Sequence, residues 1–407
     1  MGTVKAFIIF LLKNKQRFMA IFLSPFGDNY AEGLAQEYQE LSGEKSTVHY
    51  FCTKTFTGGE QKIRFIDEHC GMNGLDCDLS CDNPIKLGEK IENSDVYVVL
   101  RGKYGKDWNS DRLFGMACQA TEVLKRGSPE YLRGKRAGKV ILVMTHEPYT
   151  KQDHLFTDID GKGKKRRYEG EAITLRMNRG ILQGLGCDHI VTVYPHDYRR
   201  EGWVRKVAMK GEEDRYLTDW RRGDRKNLIE LENWTNFVFS VDPTDEIAHY
   251  IRTNKIPVDV VTAPDPSGNT IATMLRRALG VWEPSAFIEK HRSRANADNI
   301  EVIKGFDPEL VRDKNVVIVD DWALTSNTFI KGVESAFQGG ARHVDGIFVH
   351  GAFVGDSVKN FKKFNKGRRS NILDIHTMDT IDNPYARIPT AKEVAERLYY
   401  LPEMIEV

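Results

Sequence analysis

Short runs of apolar and β-branched residues alternate with amphipathic stretches through the first half of the chain. Four of these runs have the length and composition of buried strands: residues 19–24, 95–100, 139–144 and 189–193. Apolar residues recur at helical spacing between them and predict helices over residues 111–126 and 172–185. Because strands that alternate with helices form βα units, this half is expected to fold as a parallel sheet covered by helices.

A second series of the same kind begins near residue 245. It predicts strands over residues 258–262, 286–288, 316–319, 343–350 and 372–376. It predicts helices over residues 245–254, 269–279, 327–337, 356–364 and 391–400. The pattern therefore favours an α/β fold with two similar domains, each a mainly parallel sheet flanked by helices.

A charged segment without clear periodicity separates the two series. We interpret this segment, residues 201–236, which also carries three tryptophans, as an insertion or connector. The N-terminal domain is then expected to cover residues 19–200 and the C-terminal domain residues 237–407. Residues 1–18 are interpreted as an upstream extension, because their apolar run is far shorter than the roughly 20 residues that span a bilayer.

The overall charge gives no field that would attract nucleic acid or an anionic membrane. The chain has 59 Lys and Arg against 58 Asp and Glu, a net charge of +1, so any phosphate site must be local. Six cysteines in a chain with 41% hydrophobic residues are typical of a reducing compartment, and we expect a cytoplasmic protein. Neither a nucleic acid nor a membrane is therefore expected as a partner.

Two segments leave alternatives open. His69, Cys70, Cys77 and Cys81 offer zinc ligands, but they lack paired C-x2-C spacing, which favours an ordinary loop. Residues 157–171 combine glycines with five basic side chains and predict a mobile loop. A solvated charge run is the favoured interpretation of this loop, and a clamp on a polyphosphate is the alternative.

The most specific chemical signal is a buried strand that runs into two carboxylates. In a doubly wound sheet, ligands bind outside the carboxyl ends of the strands, where Asp320 and Asp321 are expected. The residues that follow would open a helix and offer hydroxyls and backbone N–H groups to a phosphate: Thr325, Ser326, Asn327 and Thr328. The alternative is that these residues form an ordinary turn and N-cap.

Val319-Asp-Asp followed by Thr-x-x-Thr resembles the phosphoribosyl pyrophosphate signature. That signature is shared by type I phosphoribosyltransferases and ribose-phosphate pyrophosphokinases. Five further segments resemble motifs of the pyrophosphokinases and occur in that family's order: residues 56–60, 148–153, 189–196, 260–265 and 288–292. A weaker likeness continues over residues 350–353. The chain is therefore identified by resemblance as a divergent ribose-phosphate pyrophosphokinase, which implies two type I phosphoribosyltransferase-like domains.

The resemblance implies a reaction and a set of site residues. The reaction is transfer of diphosphate from ATP to ribose 5-phosphate, with Mg²⁺ as the cofactor, and it gives phosphoribosyl pyrophosphate and AMP. The family commonly forms dimers that build a hexamer, so a homo-oligomer is implied. By resemblance, the residues are Lys290 and Arg292 for catalysis, His196 and Asp265 for the metal, Phe56, Glu60, Lys151, Gln152 and Asp153 for ATP, and Asp320, Asp321, Thr325, Ser326, Asn327 and Thr328 for the sugar phosphate.

The chain also departs from the family pattern, chiefly at the sugar-phosphate loop. The family has Asp-Thr-Gly-Gly-Thr where this chain has Leu324-Thr-Ser-Asn-Thr328, so both glycines are replaced. Gly58 replaces an Asp, Lys151 an Arg and His291 the middle Arg of the catalytic stretch. Three alternatives follow: an active pyrophosphokinase, an enzyme for another sugar phosphate, or a non-catalytic regulatory homologue. A type I phosphoribosyltransferase would explain the 320–328 stretch but not the order of the other motifs.

Overall fold

The computed structural model describes most of the chain, and all statements below concern these residues. They are residues 19–25, 28–55, 61–66, 90–105, 109–127, 134–150, 157–159, 165–167, 174–196, 237–264, 268–281, 289–292, 300–304, 308–325, 327–366 and 373–405. None of the helices in these ranges combines the length and the apolar character that crossing a membrane requires.

The first sheet has seven strands in the order β10-β9-β6-β4-β1-β2-β3. All neighbours are parallel except β2 and β3, which form an antiparallel hairpin with Thr55 opposite Gln61. The bounds of its strands are β1 (Ala20–Pro25), β2 (Ser46–Thr55), β3 (Gln61–Ile66), β4 (Asp95–Leu100), β6 (Lys139–Met144), β9 (His189–Val193) and β10 (Val238–Val241).

The second sheet has five parallel strands in the order β11-β14-β15-β16-β18. Its strands are β11 (Val260–Thr262), β14 (Asn315–Ala323), β15 (His343–Gly351), β16 (Leu373–Met378) and β18 (Ala386–Ile388). The remaining strands form three two-stranded ribbons: β5 (Gly102–Lys103) with β17 (Ile381–Asp382), β7 (Thr157–Ile159) with β8 (Lys165–Arg167), and β12 (Glu289–Arg292) with β13 (Ile300–Lys304).

Helices cover both faces of the two sheets. The helix Ser110–Arg126 shows how the sequence sets their ends: Asn109 accepts a hydrogen bond from the Arg112 backbone N–H at 2.8 Å, and Gly127 follows with φ 65°. The helices are α1 (Tyr30–Ser42), α2 (Ser110–Arg126), α3 (Thr174–Gly184), α4 (Thr244–Thr253), α5 (Asn269–Leu279), α6 (Pro308–Val311), α7 (Asn327–Gln338), α8 (Ser357–Asn365) and α9 (Ala391–Ile405).

The predicted α/β class is confirmed, and most predicted elements lie within a few residues of the observed ones. The predicted loop at 157–171 is wrong in part, because β7 and β8 pair as an antiparallel ribbon. Charged and glycine-rich segments occur in short ribbons as well as in loops, so composition did not distinguish the two. The predicted strand 286–288 and the cysteine-rich segment 69–81 lie outside the described residues.

A single layer of helices packs between the two sheets. Alternate residues of β14 face different cores: Val317 and Val319 belong to the layer between the sheets, whereas Val316 and Ile318 face α7 and α8 on the far side. The inner layer consists of α1, α4, α5 and α9 and also packs on the first sheet. The two sheets therefore share one hydrophobic core.

The end of the chain returns to the first sheet. The last helix, α9, packs against α1 and contacts β9 and β10. In addition, β10 pairs with β9, although it lies within residues 237–407 that we expected to form the second domain. The segment after the connector thus contributes its first strand and its last helix to the first sheet.

A row of buried polar side chains links α1 to the segments after β16 and before α9. The Tyr30 hydroxyl lies 2.9 Å from Thr390 Oγ1, which donates a hydrogen bond to Asp379 Oδ1 at 2.7 Å. Burial raises the pKa of Asp379 to about 6, although the Thr390 hydrogen bond and the Arg101 charge act in the opposite direction. Because its pKa in the folded state lies above its usual value, ionised Asp379 opposes folding at neutral pH.

We expect Asp379→Asn to change the pH dependence of stability. The carboxyl of Asp379 takes up its proton more readily in the folded state, so the wild type loses stability as pH rises from about 4 towards about 6. Between pH 5 and 7.5 the variant should therefore gain about 1 kcal/mol on the wild type. Urea unfolding at both pH values measures this difference. The exposed Asp382→Asn is the control, and equal profiles for all three proteins would contradict the assignment.

Candidate functional site

The carboxyl ends of β9 and β14 meet at one place between the two sheets. His196 follows β9, Asp321 lies in β14, and His196 Nδ1 is 2.5 Å from Asp321 Oδ2. Their side chains are 20% and 13% exposed, so both are largely shielded but remain open to a ligand. Two candidate residues that are 125 positions apart in the sequence thus lie in one site.

The backbone around His196 is held by two neighbouring strands. The His196 backbone N–H donates a hydrogen bond to Thr150 Oγ1 at 2.9 Å, and Thr150 is buried after β6. Tyr194 has φ 38°, which turns the chain out of β9, and its N–H bonds to the Val241 carbonyl at 3.1 Å. These contacts place the imidazole at the sheet edge before any ligand binds.

The carboxylates Asp320 and Asp321 end the buried run of β14. The Asp321 backbone N–H donates to Asp320 Oδ1 at 3.0 Å, which turns the Asp320 carboxylate back towards its own strand. Gly268, at the start of α5, approaches the same oxygen closely: a Cβ atom there would lie 3.1 Å from Asp320 Oδ1 and 2.9 Å from Ala263 Cβ. The amino end of α5 therefore lies beside Asp320, where the helix dipole favours negative charge.

The predicted helix after the two carboxylates is confirmed. It begins at Asn327, so backbone N–H groups of its first turn lie directly after β14. Thr325 is exposed, and the Leu324 carbonyl accepts a hydrogen bond from Ser357 Oγ at 2.6 Å. The Leu324 carbonyl is thereby tied to the start of α8.

An aromatic cluster that the sequence motifs did not predict lies behind the carboxylates. The Trp322 ring lies 4.5 Å from the His350 ring and 5.8 Å from the His146 ring, between centroids. Burial, and then the nearby His350, lower the pKa of His146 to about 3, so its imidazole is neutral near pH 7. His146 follows β6, and His350 is the next-to-last residue of β15. A position at the carboxyl end of a buried strand is the signal that could have identified both histidines.

A buried ion pair supports the segment that resembles a nucleotide motif. Arg179 on α3 donates from Nε to Glu147 Oε1 at 2.7 Å and from Nη2 to Oε2 at 2.6 Å. The two side chains are 2% and 3% exposed. Glu147 directly precedes the motif at residues 148–153, so the bidentate pair fixes the start of that segment against α3.

The other candidate residues are only partly described. The backbone of Lys290 and Arg292 lies in β12, opposite Val302 and Ile300 of β13. Asn327 and Thr328 lie in the first turn of α7. The remaining candidates lie outside the described residues: Phe56, Glu60, Lys151, Gln152, Asp153, Asp265 and Ser326.

We expect Arg179→Met to destabilise the protein by about 3–5 kcal/mol, because it leaves the buried Glu147 charge without its bidentate partner. Adding Glu147→Leu should recover a large part of this loss. The matched control is Arg126→Met, which removes an exposed pair with Glu122 and should change stability by less than about 1 kcal/mol. Urea unfolding measures all four proteins. A loss below about 1 kcal/mol for Arg179→Met would show that the pair is not structurally important.

The chain is similar to known proteins both in sequence and in fold. No protein-family model matches the chain. It is 25% identical over 330 residues to ribose-phosphate pyrophosphokinase 4 of Saccharomyces cerevisiae, covering 78% of this chain and 81% of the relative. It is 24% identical over 315 residues to ribose-phosphate pyrophosphokinase of Sulfolobus acidocaldarius, covering 77% and 86%. The structure of phosphoribosylpyrophosphate synthetase from Mycobacterium smegmatis superposes with a TM-score of 0.60 and 18% identity, covering 95% of this chain and 99% of that one.

Proposed function

We propose that this chain, a divergent relative of the ribose-phosphate pyrophosphokinases, transfers the diphosphate group of ATP to ribose 5-phosphate. The products are phosphoribosyl pyrophosphate and AMP. The broader conclusion, a transferase of the pyrophosphokinase type, agrees with the names of its relatives. The specific substrates come from the resemblance of its motifs.

One observation carries the proposal: the 2.5 Å contact between His196 and Asp321. His196 belongs to the segment that resembles the family's metal strand, and Asp321 to the sugar-phosphate signature. The reaction needs the ATP phosphates beside the anomeric hydroxyl of the sugar, so residues for the two substrates must meet. This contact supports such a meeting point at the edge shared by the two sheets.

The proposed chemistry asks for positioning and positive charge more than for covalent work. Diphosphoryl transfer spreads negative charge over phosphate oxygens, and Lys290 and Arg292 are proposed to balance it. Arg292 is suited to grip two oxygens at once, whereas Lys290 supplies a compact point charge. Asp320 and Asp321 are proposed to accept hydrogen bonds from sugar hydroxyls, and Thr325–Thr328 to hold the sugar phosphate.

The described donors fit a magnesium ion chemically. Mg²⁺ prefers oxygen ligands, takes few protein groups and keeps several waters, and the described site offers two carboxylates beside one imidazole. We propose that His196 and Asp265 hold it, directly or through water. When bound, it neutralises phosphate charge and polarises the β-phosphorus of ATP. We also propose a cytoplasmic homo-oligomer, a dimer or hexamer, by analogy with the family.

The second candidate is a non-catalytic regulatory homologue that binds nucleotide without turnover. The loop at Leu324–Thr328 favours it, because Ser326 and Asn327 replace glycines where a backbone must approach a phosphate closely. A third candidate keeps the chemistry and changes the sugar phosphate. Both alternatives concern the same end of the site.

An AMP-release assay separates these candidates. Purified protein incubated with ATP, Mg²⁺ and ribose 5-phosphate is expected to release AMP, measured by chromatography. A panel of related sugar phosphates is run in parallel, and nucleotide binding is measured by calorimetry. AMP only with another sugar supports the third candidate. Nucleotide binding with no AMP from any sugar rejects the enzyme and supports the regulatory homologue.

Lys290→Ala tests the proposed catalytic assignment within that assay. Loss of a charge that stabilises the transition state should lower AMP formation at least about 100-fold. Lys359→Ala is the matched control, because Lys359 is exposed on α8, far in sequence from the proposed site, and forms an ion pair with the neighbouring exposed Asp356. Activity of Lys290→Ala within a few-fold of the wild type would make the assignment wrong.

A further inference from the structure

Four side chains interrupt the apolar pattern at the amino ends of β15 and β16. They form two mirrored motifs, His343-Val-Asp345 and Asp374-Ile-His376. Residues two apart on a strand share a face, and Asp345 lies opposite Asp374 in the parallel register. All four therefore lie on one face of the second sheet, and we call them the amino-edge cluster.

The distances within the amino-edge cluster are short enough for shared ligation. His343 Nε2 lies 3.1 Å from Asp345 Oδ2 and 3.6 Å from Asp374 Oδ2. One ligand atom from each of these three residues lies within 4.8 Å of the others, and it is the one such set found in the described part of the chain. Two ligands at about 2.1 Å from a tetrahedral ion are about 3.4 Å apart, which is close to the spacing observed.

Burial and charge distinguish this cluster from an exposed acidic patch. Asp345 is 3% exposed, and its Oδ2 atom faces His343 Nε2 at 3.1 Å. The side chains of His343 and Asp374 are 30% and 54% exposed, which leaves a path from solvent. A metal cation can take the place of the proton between this imidazole and the buried carboxylate, with the third ligand supplied from the open side.

A second layer of contacts orients the buried carboxylate. His376 Nε2 lies 3.2 Å from Asp345 Oδ1, the oxygen that does not face His343. The Tyr250 hydroxyl of α4 lies 3.1 Å from His376 Nδ1, and the two rings pack at 5.5 Å. Metal-binding carboxylates are commonly held by outer hydrogen bonds of this type.

We propose that the amino-edge cluster binds a divalent first-row transition cation through His343 Nε2 and one carboxylate oxygen each of Asp345 and Asp374. Zn²⁺ is the natural probe, because it accepts imidazole and carboxylate ligands in a tetrahedral site and leaves the fourth position to water. Mg²⁺ is expected to bind this site more weakly than Zn²⁺, because it keeps several waters and binds imidazole nitrogen less tightly. The two carboxylates neutralise the ion, and the exposed Asp374 side chain is free to adjust its rotamer.

The position of the cluster indicates a structural role. The amino ends of β15 and β16 lie at the edge of the second sheet opposite Asp320 and Asp321, which occupy the carboxyl end of β14. A cation there joins two strands and, through His376 and Tyr250, the helix α4 in the shared core. It is therefore distinct from the magnesium proposed for the reaction.

Zinc titration of metal-stripped, full-length protein tests the site. Competition with a chromophoric chelator should detect one zinc equivalent that is weakened at least about 10-fold in Asp374→Asn and in His343→Gln. His249→Gln is the matched control, because His249 is an exposed histidine outside the cluster, on the neighbouring helix α4. Excess Mg²⁺ should leave this equivalent bound. Equal affinity and stoichiometry in all four proteins would overturn the proposal.

X-ray absorption on the zinc-loaded wild type provides a test that needs no variant. One imidazole nitrogen and oxygen ligands at about 2.0–2.2 Å are expected. A sulfur ligand at about 2.3 Å would place the ion elsewhere, at cysteines, and would reject the amino-edge cluster. Failure of this site would leave the AMP-release assay unaffected, so the two proposals are tested independently.

Discussion

The shared helix layer between the two sheets is the constraint on which the rest of the structure depends. Each sheet has two apolar faces, and each must be covered to bury its backbone and side chains. The inner faces are covered jointly by α1, α4, α5 and α9, so neither sheet completes its core without the other half of the chain. The return of α9 to β9 and β10 closes this arrangement. The relative position of the sheets is therefore a consequence of burial.

That position decides which strand ends meet. His196 follows a strand of the first sheet, and Asp321 lies near the carboxyl end of a strand of the second. Their contact depends on how the sheets face each other across the common core. The buried Glu147–Arg179 pair lies within the first half of the chain, whereas the Trp322–His350–His146 ring cluster joins residues of both halves. The Glu147–Arg179 pair is tolerated in the interior because its charges satisfy each other, and it holds the segment after β6 against α3.

The two edges of the second sheet carry different chemistry. At the carboxyl edge, Asp320 lies beside the amino end of α5, and Asp321 contacts His196. At the amino edge, His343, Asp345, Asp374 and His376 lie under α4, with one side open to solvent. These side chains hold one another by hydrogen bonds and ion pairs, which suits the structural cation proposed for the amino-edge cluster. The same parallel strands thus carry the proposed substrate site at one edge and the proposed ion site at the other.

The sequence by itself determined the local elements and a resemblance to one family. Periodicity predicted β4, β6, β9 and α2 almost to their residues, because burial on a sheet face imposes a regular apolar pattern. The motif order identified the candidate carboxylates and His196. Periodicity failed where it was weak: α1, β2 and β10 were not predicted, and the 157–171 ribbon was taken for a loop. Tertiary structure alone decided that β10 and α9 join the first sheet, that His196 contacts Asp321, and that two short motifs form the amino-edge cluster. A linear pattern records which face of an element is apolar, whereas the partner of that face is chosen by packing across the whole chain.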